Sequence, residues 1–171
     1  MNGRFPAPVR QCENGGKIMN KETRRKVFIS HGHDEEAKTT VAEFVENLGL
    51  KVTVLDEQPN NGLTVIENLE RYADDTGFAI ALLTPDDVGA VKDEADRQLN
   101  PRAHQNVIFE LGYFIGKLSP NQVCLLYKEG VELPSYISNV VYVPMDSADA
   151  WKLKLSQGMR KAGLPVDMSW A

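Results

Sequence analysis

The chain has 171 residues, with 24 Asp plus Glu against 19 Lys plus Arg, a formal net charge of −5 and 42% hydrophobic residues, which fits a single soluble globular domain with an ordinary core. No apolar run reaches the roughly 18 to 20 residues of a membrane-spanning helix, and the amino-terminal segment lacks the apolar stretch of a signal peptide, so a cytoplasmic protein with no membrane partner is expected. Cys12 and Cys124 stand far apart and outside CxxC spacing, which argues against a disulfide framework or a structural zinc site.

The charge is unevenly spread. Residues 1–25 carry Arg4, Arg10, Lys17, Lys21, Arg24 and Arg25 against Glu13 and Glu22, a surplus of +4, which leaves −9 for the remainder of the −5 chain. An acidic body lacks the basic face that phosphate backbones select, so no nucleic-acid partner is expected. The basic segment holds Pro6, Pro8, Gly15 and Gly16 without apolar periodicity and reads as a flexible leader, with Met19 an alternative start. The expected organisation is a leader over 1–25, one domain over 26–167 and a short tail over 168–171.

From Lys26 onward apolar strands alternate with amphipathic helices. Val27-Phe28-Ile29 forms a first strand ending at Ser30-His31-Gly32-His33. Asp34 can cap a helix with Ala37, Val41, Phe44 and Leu48 at helical spacing and Gly49 as its stop. A second strand spans Lys51 to Leu55. After Asp56 to Gly62, Thr64-Val65-Ile66-Glu67 has capping-box form and opens a helix with Ile66, Leu69 and Tyr72 inward. The third strand, Gly77 to Leu83, is apolar without alternation, the pattern of a central strand covered on both faces of a parallel sheet.

The long charged stretch from Thr84 to Ala103 is expected to be a lid, a binding loop or a site of short extra helices. A helix follows from His104 to Leu118 with Val107, Ile108, Leu111, Phe114, Ile115 and Leu118 on one face. Val123 to Tyr127 and Val140 to Val143 are further strands. A closing helix over 146–163 carries Trp151, Leu153, Leu155 and Met159. Five strands alternating with helices define an α/β fold, a flavodoxin-like doubly wound five-stranded parallel sheet of order 2-1-3-4-5. Ligands in such sheets bind beyond the carboxyl ends of strands 1 and 3, where the winding reverses. That rule selects Ser30 to Asp34, Asp56 to Gly62, Thr84 to Asp87 and the helix start at His104.

Several chemistries can be tested at those positions. A phosphoacceptor receiver needs acidic residues after strand 1 and an aspartate ending strand 3, but the ends read Ser30-His31-Gly32 and Leu83-Thr84-Pro85. Neither GxGxxG nor GxxxxGK[ST] follows any strand, which leaves a glycine-rich phosphate cradle unsupported and weakens flavin binding. His31-Gly32-His33-Asp34 invites a metal. However, His104 is the only other histidine where catalytic zinc wants three ligands. The plainer reading has His33 or Asp34 capping the helix and Gly32 permitting a tight turn. At 100° per residue, Glu110 falls about 40° outside the apolar arc of its helix, at the border where a cleft wall would lie, with Asn106 one turn earlier on the same flank. On geometry alone a solvated boundary glutamate is the simpler reading.

Lys26-Val27-Phe28-Ile29-Ser30-His31-Gly32-His33-Asp34, Asp56-Glu57-Gln58-Pro59-Asn60-Asn61-Gly62, Leu82-Leu83-Thr84-Pro85-Asp86-Asp87-Val88-Gly89 and Arg102-Ala103-His104-Gln105-Asn106-Val107-Ile108-Phe109-Glu110-Leu111-Gly112 resemble the successive motifs of the bacterial TIR-like family described as predicted nucleotide-binding proteins. The same family supplies the TIR effector domains of cyclic-nucleotide-triggered antiphage systems. With the segment from Leu125 to Pro134, the resemblance covers the chain from Lys26 to about Asp167.

The resemblance implies a flavodoxin-like TIR fold and, in active members, cleavage of the nicotinamide–ribose bond of NAD, as substrate and with no cofactor or metal. It places Glu110 as the catalytic glutamate on the helix after the third strand. Ser30, His31 and Gly32 are expected to contact the dinucleotide, Thr84 and Asp86 to shape a wall, and Asn106 to face the substrate. Arg102 is expected either to grip a phosphate or to form a surface ion pair. The segment from Asp56 to Gly62 corresponds to a loop through which TIR domains self-associate. With no second module after Asp167, activity gated by assembly or by a separate sensor protein is expected. The rival expectation is a non-enzymatic nucleotide-binding or self-associating signalling module, and transfer at an N-glycosidic bond would also use Glu110.

Overall fold

The computed structural model describes residues 22–59, 62–90, 92, 99–135, 137, 140–167 and 169. The leader up to residue 21, part of the loop after the second strand, most of 91–98 and three residues of the tail lie outside the described residues. In chain order the elements are β1 Lys26–Ser30, α1 Glu35–Asn47, β2 Lys51–Val54, α2 Val65–Asp74, β3 Phe78–Leu83, β4 Asp87–Gly89, β5 Asn100–Arg102, α3 Gln105–Lys117, β6 Val123–Tyr127, β7 Val141–Pro144 and α4 Ala150–Lys161.

The main sheet has order β2-β1-β3-β6-β7 with every pair parallel. This is the expected 2-1-3-4-5 order once the small β4–β5 hairpin is set aside. All six residues of β3 are buried, as its unbroken apolar run requires of a strand covered on both sides. Alternation along the strands divides the core in two. Val27, Ile29, Ile80 and Leu82 pack with Val41, Phe44, Trp151 and Met159 of α1 and α4. Phe28, Ala79, Ala81 and Leu83 pack with Leu69, Ala73, Val107, Leu111 and Phe114 of α2 and α3. Ser30 lies two residues beyond Phe28 and therefore belongs to the α3 side.

Local signals set the boundaries. Asp34 accepts the Ala37 N–H at 2.9 Å and starts α1, and Gly49, at φ +77°, lets the chain turn into β2. Thr64 and Glu67 close the expected capping box.

Of the three alternatives for the Thr84–Ala103 stretch, short extra helices are absent among its described residues; its ends pair as the antiparallel arms β4 and β5, with Asp87 opposite Arg102. Four expectations are corrected. Ile66 is 47% exposed because it sits in the first turn of α2, ahead of the buried stripe of Leu69 and Ala73. Ile108 and Leu153 point outward as well. The buried stripes run through Val107, Leu111 and Phe114 on α3 and through Trp151, Leu155 and Met159 on α4, so neighbours one or two positions off those rows rotate away. The last helix also begins later than expected. Asp146 first accepts the Ala148 and Ala150 N–H groups, both at 3.0 Å, and Asp149 turns with φ 59° before the helix opens.

Candidate functional site

The chain leaves β1 toward α1 on one face and leaves β3 toward α3 on the other, which opens a crevice at the carboxyl ends of these neighbouring strands. Ser30, the last residue of β1, is buried and its Oγ has no hydrogen-bond partner. Across from it on α3 stands Glu110, half-buried. One layer below, the rings of Phe28 and Phe114 pack at 4.5 Å between centroids. That pair supports the pair above it, since Ser30 follows Phe28 by two strand positions and Phe114 follows Glu110 by one helical turn.

Burial pushes the Glu110 carboxyl above the ordinary glutamate value. The nearby Ser30 hydroxyl pulls it partly back, and the charge of Asp56 pushes it up again. The Ser30 contact favours the charged carboxylate yet falls outside normal hydrogen-bond geometry, so both groups keep capacity for a further partner.

His31 turns to a different neighbour. Its Nε2 lies 3.5 Å from Asp56 Oδ2, beyond β2, and its side chain is only 5% exposed with neither ring nitrogen in a hydrogen bond. Gly32 packs against Asp86, whose carboxylate occupies the space a Cβ would need. Asp86 Oδ1 accepts the His33 N–H at 3.1 Å and Oδ2 accepts the Thr84 hydroxyl at 2.6 Å.

Beside this group lies a cleft of about 610 Å³ lined by Asp86, Asp87, Val88, His104, Gln105 and Asn106. His104 Nδ1 is 3.1 Å from Asp87 Oδ2, and the His33 and His104 rings approach at 4.8 Å between centroids. The lining ends at Asn106, one helical turn short of Glu110.

The structure therefore gathers Ser30, His31, Gly32, Thr84, Asp86, Asn106 and Glu110 around the ends of β1, β3 and the start of α3. Arg102 stands apart from them. Its Nε and Nη2 fork onto Glu132 at 2.8 and 3.2 Å, the ion-pair alternative of the two expected for it. His31 and His33 face different partners, and no group of three His, Cys, Asp or Glu able to hold a metal is found among the described residues. Sequence reasoning did not single out the Asp87–His104 pair or the approach of Asp56 to His31. The signal for the second was available, because Asp56 follows the carboxyl end of the strand adjoining β1.

The five-stranded doubly wound parallel sheet, in the order β2-β1-β3-β6-β7, is consistent with a TIR-like domain. The family model of the CAP12/Pycsar effector protein TIR domain matches residues 26–147, and the chain belongs to that family, whose members serve antiphage systems. It is 43% identical over 143 residues to the protein YuaY of Escherichia coli K12, covering 84% of this chain and 47% of that protein. It is 34% identical over 128 residues to protein tirC of Dictyostelium discoideum, covering 70% of this chain and 64% of the relative. Over 80 residues it is 39% identical to the Pycsar effector protein PaPycTIR of Pseudomonas aeruginosa, 46% of this chain and 25% of the effector. The chain thus spans about half the length of the Escherichia coli protein and a quarter of the Pseudomonas effector. No helix among the described residues is long and apolar enough to cross a membrane.

Proposed function

We propose that this domain cleaves the nicotinamide–ribose bond of NAD in a defence response, with Glu110 as the catalytic residue. The observation that carries the reading is a half-buried carboxylate, raised in pKa by burial and by Asp56, beside the unsatisfied Ser30 hydroxyl at the switch point of the sheet. The chemistry suits a single carboxylate. The nicotinamide ring of NAD already carries the positive charge, so it takes the bonding electron pair and departs neutral, and no acid is needed to expel it. Positive charge then develops on the ribose, and a fixed carboxylate beside it stabilises that charge where it forms. Water adds to the ribose carbon and releases one proton, giving ADP-ribose and nicotinamide. Ordinary glycosidases differ in using two carboxylates.

Ser30 and His31 would contact the ribose side, and Asn106 would link Glu110 to the cleft. Thr84 and Asp86 shape the wall between them. Arg102 would serve a phosphate only by exchanging Glu132. Self-association through the segment following β2, or a separate sensor protein, would gate the activity.

The second reading is nucleotide binding without cleavage. Its support is the cleft itself, whose lining stops at Asn106 and leaves Glu110 outside. Concentrated protein incubated with NAD, with and without a crowding agent, separates the two when nicotinamide release is followed. Release that disappears in Glu110→Gln and Glu110→Ala with the fold retained supports cleavage. Bound NAD with no release at any protein concentration supports the binding module.

A further inference from the structure

We propose that Asp86, read from the sequence as part of the substrate-contacting wall, is a positioning residue that holds the turn after β1 so that the Ser30 hydroxyl faces Glu110. The inference rests on the reading of Glu110 as the reactive carboxylate.

The need for such a residue comes from the fold. β1 and β3 are hydrogen-bonded neighbours up to Ser30 and Ala81, but the chain beyond β1 crosses to the α1 face while the chain beyond β3 crosses to the α3 face. The segments that build the crevice therefore separate just where the site needs a fixed spacing. Asp86 spans that gap. One carboxylate oxygen accepts the backbone N–H of His33 at 3.1 Å, and the other accepts the hydroxyl of Thr84, itself 1% exposed, at 2.6 Å. The Asp86 N–H returns to the Thr84 carbonyl at 2.8 Å, which fixes the residue's own backbone to the end of β3.

Gly32 completes the arrangement. The Asp86 carboxylate lies where a Cβ at this position would be, so the turn and the carboxylate fit together only with glycine between Ser30 and His33. With both oxygens of Asp86 accepting from the protein, its role in binding substrate is secondary to its role in setting the turn. An asparagine can still accept from His33 N–H through Oδ1 and can donate to Thr84 Oγ1, which as a hydroxyl is able to accept. An alanine can do neither.

The test compares Asp86→Ala and Asp86→Asn in two independent ways. The first is steady-state nicotinamide release from NAD. A displaced catalytic constellation lowers kcat by about 10- to 100-fold in Asp86→Ala with KM little changed, and Asp86→Asn recovers most of the loss. A rise in KM at unchanged kcat would overturn the proposal in favour of direct substrate contact. The second is the titration of Glu110, followed by NMR in protein carrying carbon-13 in its glutamate carboxyls and assigned with Glu110→Gln. In Asp86→Ala the Ser30 hydroxyl withdraws and Glu110 titrates at higher pH than in the wild type; Asp86→Asn returns it. An unchanged titration in Asp86→Ala overturns the proposal whatever the kinetics show. If the wild type releases no nicotinamide, the NAD-cleavage reading fails, and the Glu110 titration alone decides the positioning role. Should Asp86→Ala not fold, Thr84→Val removes one of the two tethers and is read by the same two measurements, with a smaller effect in the same direction.

Discussion

Asp34 joins the site's turn to the body of the domain, and replacing it should separate a capping contribution from an ionic one. Its Oδ1 accepts the Ala37 N–H at 2.9 Å at the start of α1, and its Oδ2 meets Lys128 Nζ at 2.6 Å, reaching from just beyond β6. Losing an N-cap acceptor costs about 1 kcal/mol. The Lys128 side chain is 37% exposed, so the pair is screened and contributes about 0.5 kcal/mol. Asp34→Ala should therefore destabilise by about 1.5 kcal/mol and lower Tm by about 3–6 °C for a domain of this size. Asparagine caps as well as aspartate, so Asp34→Asn should lose only the ionic part, about 0.5 kcal/mol. Burial pushes the Asp34 carboxyl up, but the hydrogen bond from Lys128, the Ala37 N–H and the Lys128 charge outweigh it and hold the group below its ordinary value. A depressed folded pKa means the contribution is fully present above the unfolded value and is lost as pH falls through the folded one. The gap between wild type and Asp34→Asn should thus be constant from about pH 7 to about pH 5 and close below about pH 4. Urea denaturation of wild type, both Asp34 variants and Lys128→Met checks all of this. Equal losses in Asp34→Asn and Asp34→Ala would refute the capping argument, and a gap that persists in acid would refute the ionic one.

Glu110 titrates in the opposite sense. Its folded pKa is raised, so its ionisation weakens the fold as pH rises through that value, and Glu110→Gln should be more stable than wild type at neutral pH, with the difference vanishing toward pH 4 in thermal melts. In the proposed reaction activity should fall on the acid side as Glu110 protonates. That limb should move to lower pH in Asp56→Asn and to higher pH in Ser30→Ala, and an unmoved profile would dissociate those residues from Glu110. Phe114→Leu should loosen the ring pair beneath the site, destabilising by about 1 kcal/mol, and should lower nicotinamide release by more than the folded fraction accounts for. The Cys124 thiol, 1% exposed and pushed up to about 12 by burial, should react with a disulfide reagent only at the rate of unfolding.

Much of this arrangement is legible in the residues because the signals are local or periodic. The Asp34 cap, the Thr64–Glu67 capping box and the unbroken apolar run of β3 each follow from a few adjacent side chains, and the strand order follows from their alternation with helices. Ile108 and Leu153 mislead because hydrophobicity alone does not say which row of a helix meets the sheet, which depends on how the helix is rotated by its neighbours; Ile66 misleads because it stands in the first turn of α2, ahead of the covered part of its row. The β4–β5 hairpin is illegible for another reason. Asp87-Val88-Gly89 and Asn100-Pro101-Arg102 have no strand pattern of their own, and they pair because the two ends of a long excursion return to the same place, with Arg102 held by Glu132. At the site, the switch-point rule reaches Ser30, Asp86 and His104 without any family knowledge. The approach of Asp56 to His31 and the reach of Asp86 to His33 are distances between separate strand ends, which no single segment encodes.

Under the proposed function, the electrostatics of the crevice set how an acidic body would take a dinucleotide. Asp56, Asp86, Asp87 and Glu110 are gathered near the switch point, so a pyrophosphate gains nothing from long-range attraction and must be held by donors away from these carboxylates. The same crowding has a different effect on a developing cation. Burial and Asp56 make the charged form of Glu110 unfavourable in the empty site, which is what its raised pKa records. Positive charge forming on an adjacent ribose relieves both penalties at once, and a neutral ground-state ribose relieves neither. Interactions that strengthen only as charge develops are the ones that accelerate a bond cleavage. In the proposed reaction, the feature that weakens the resting fold at Glu110 is therefore the one that lowers the barrier, and the Asp56→Asn variant should separate the two by making the protein more stable and the reaction slower.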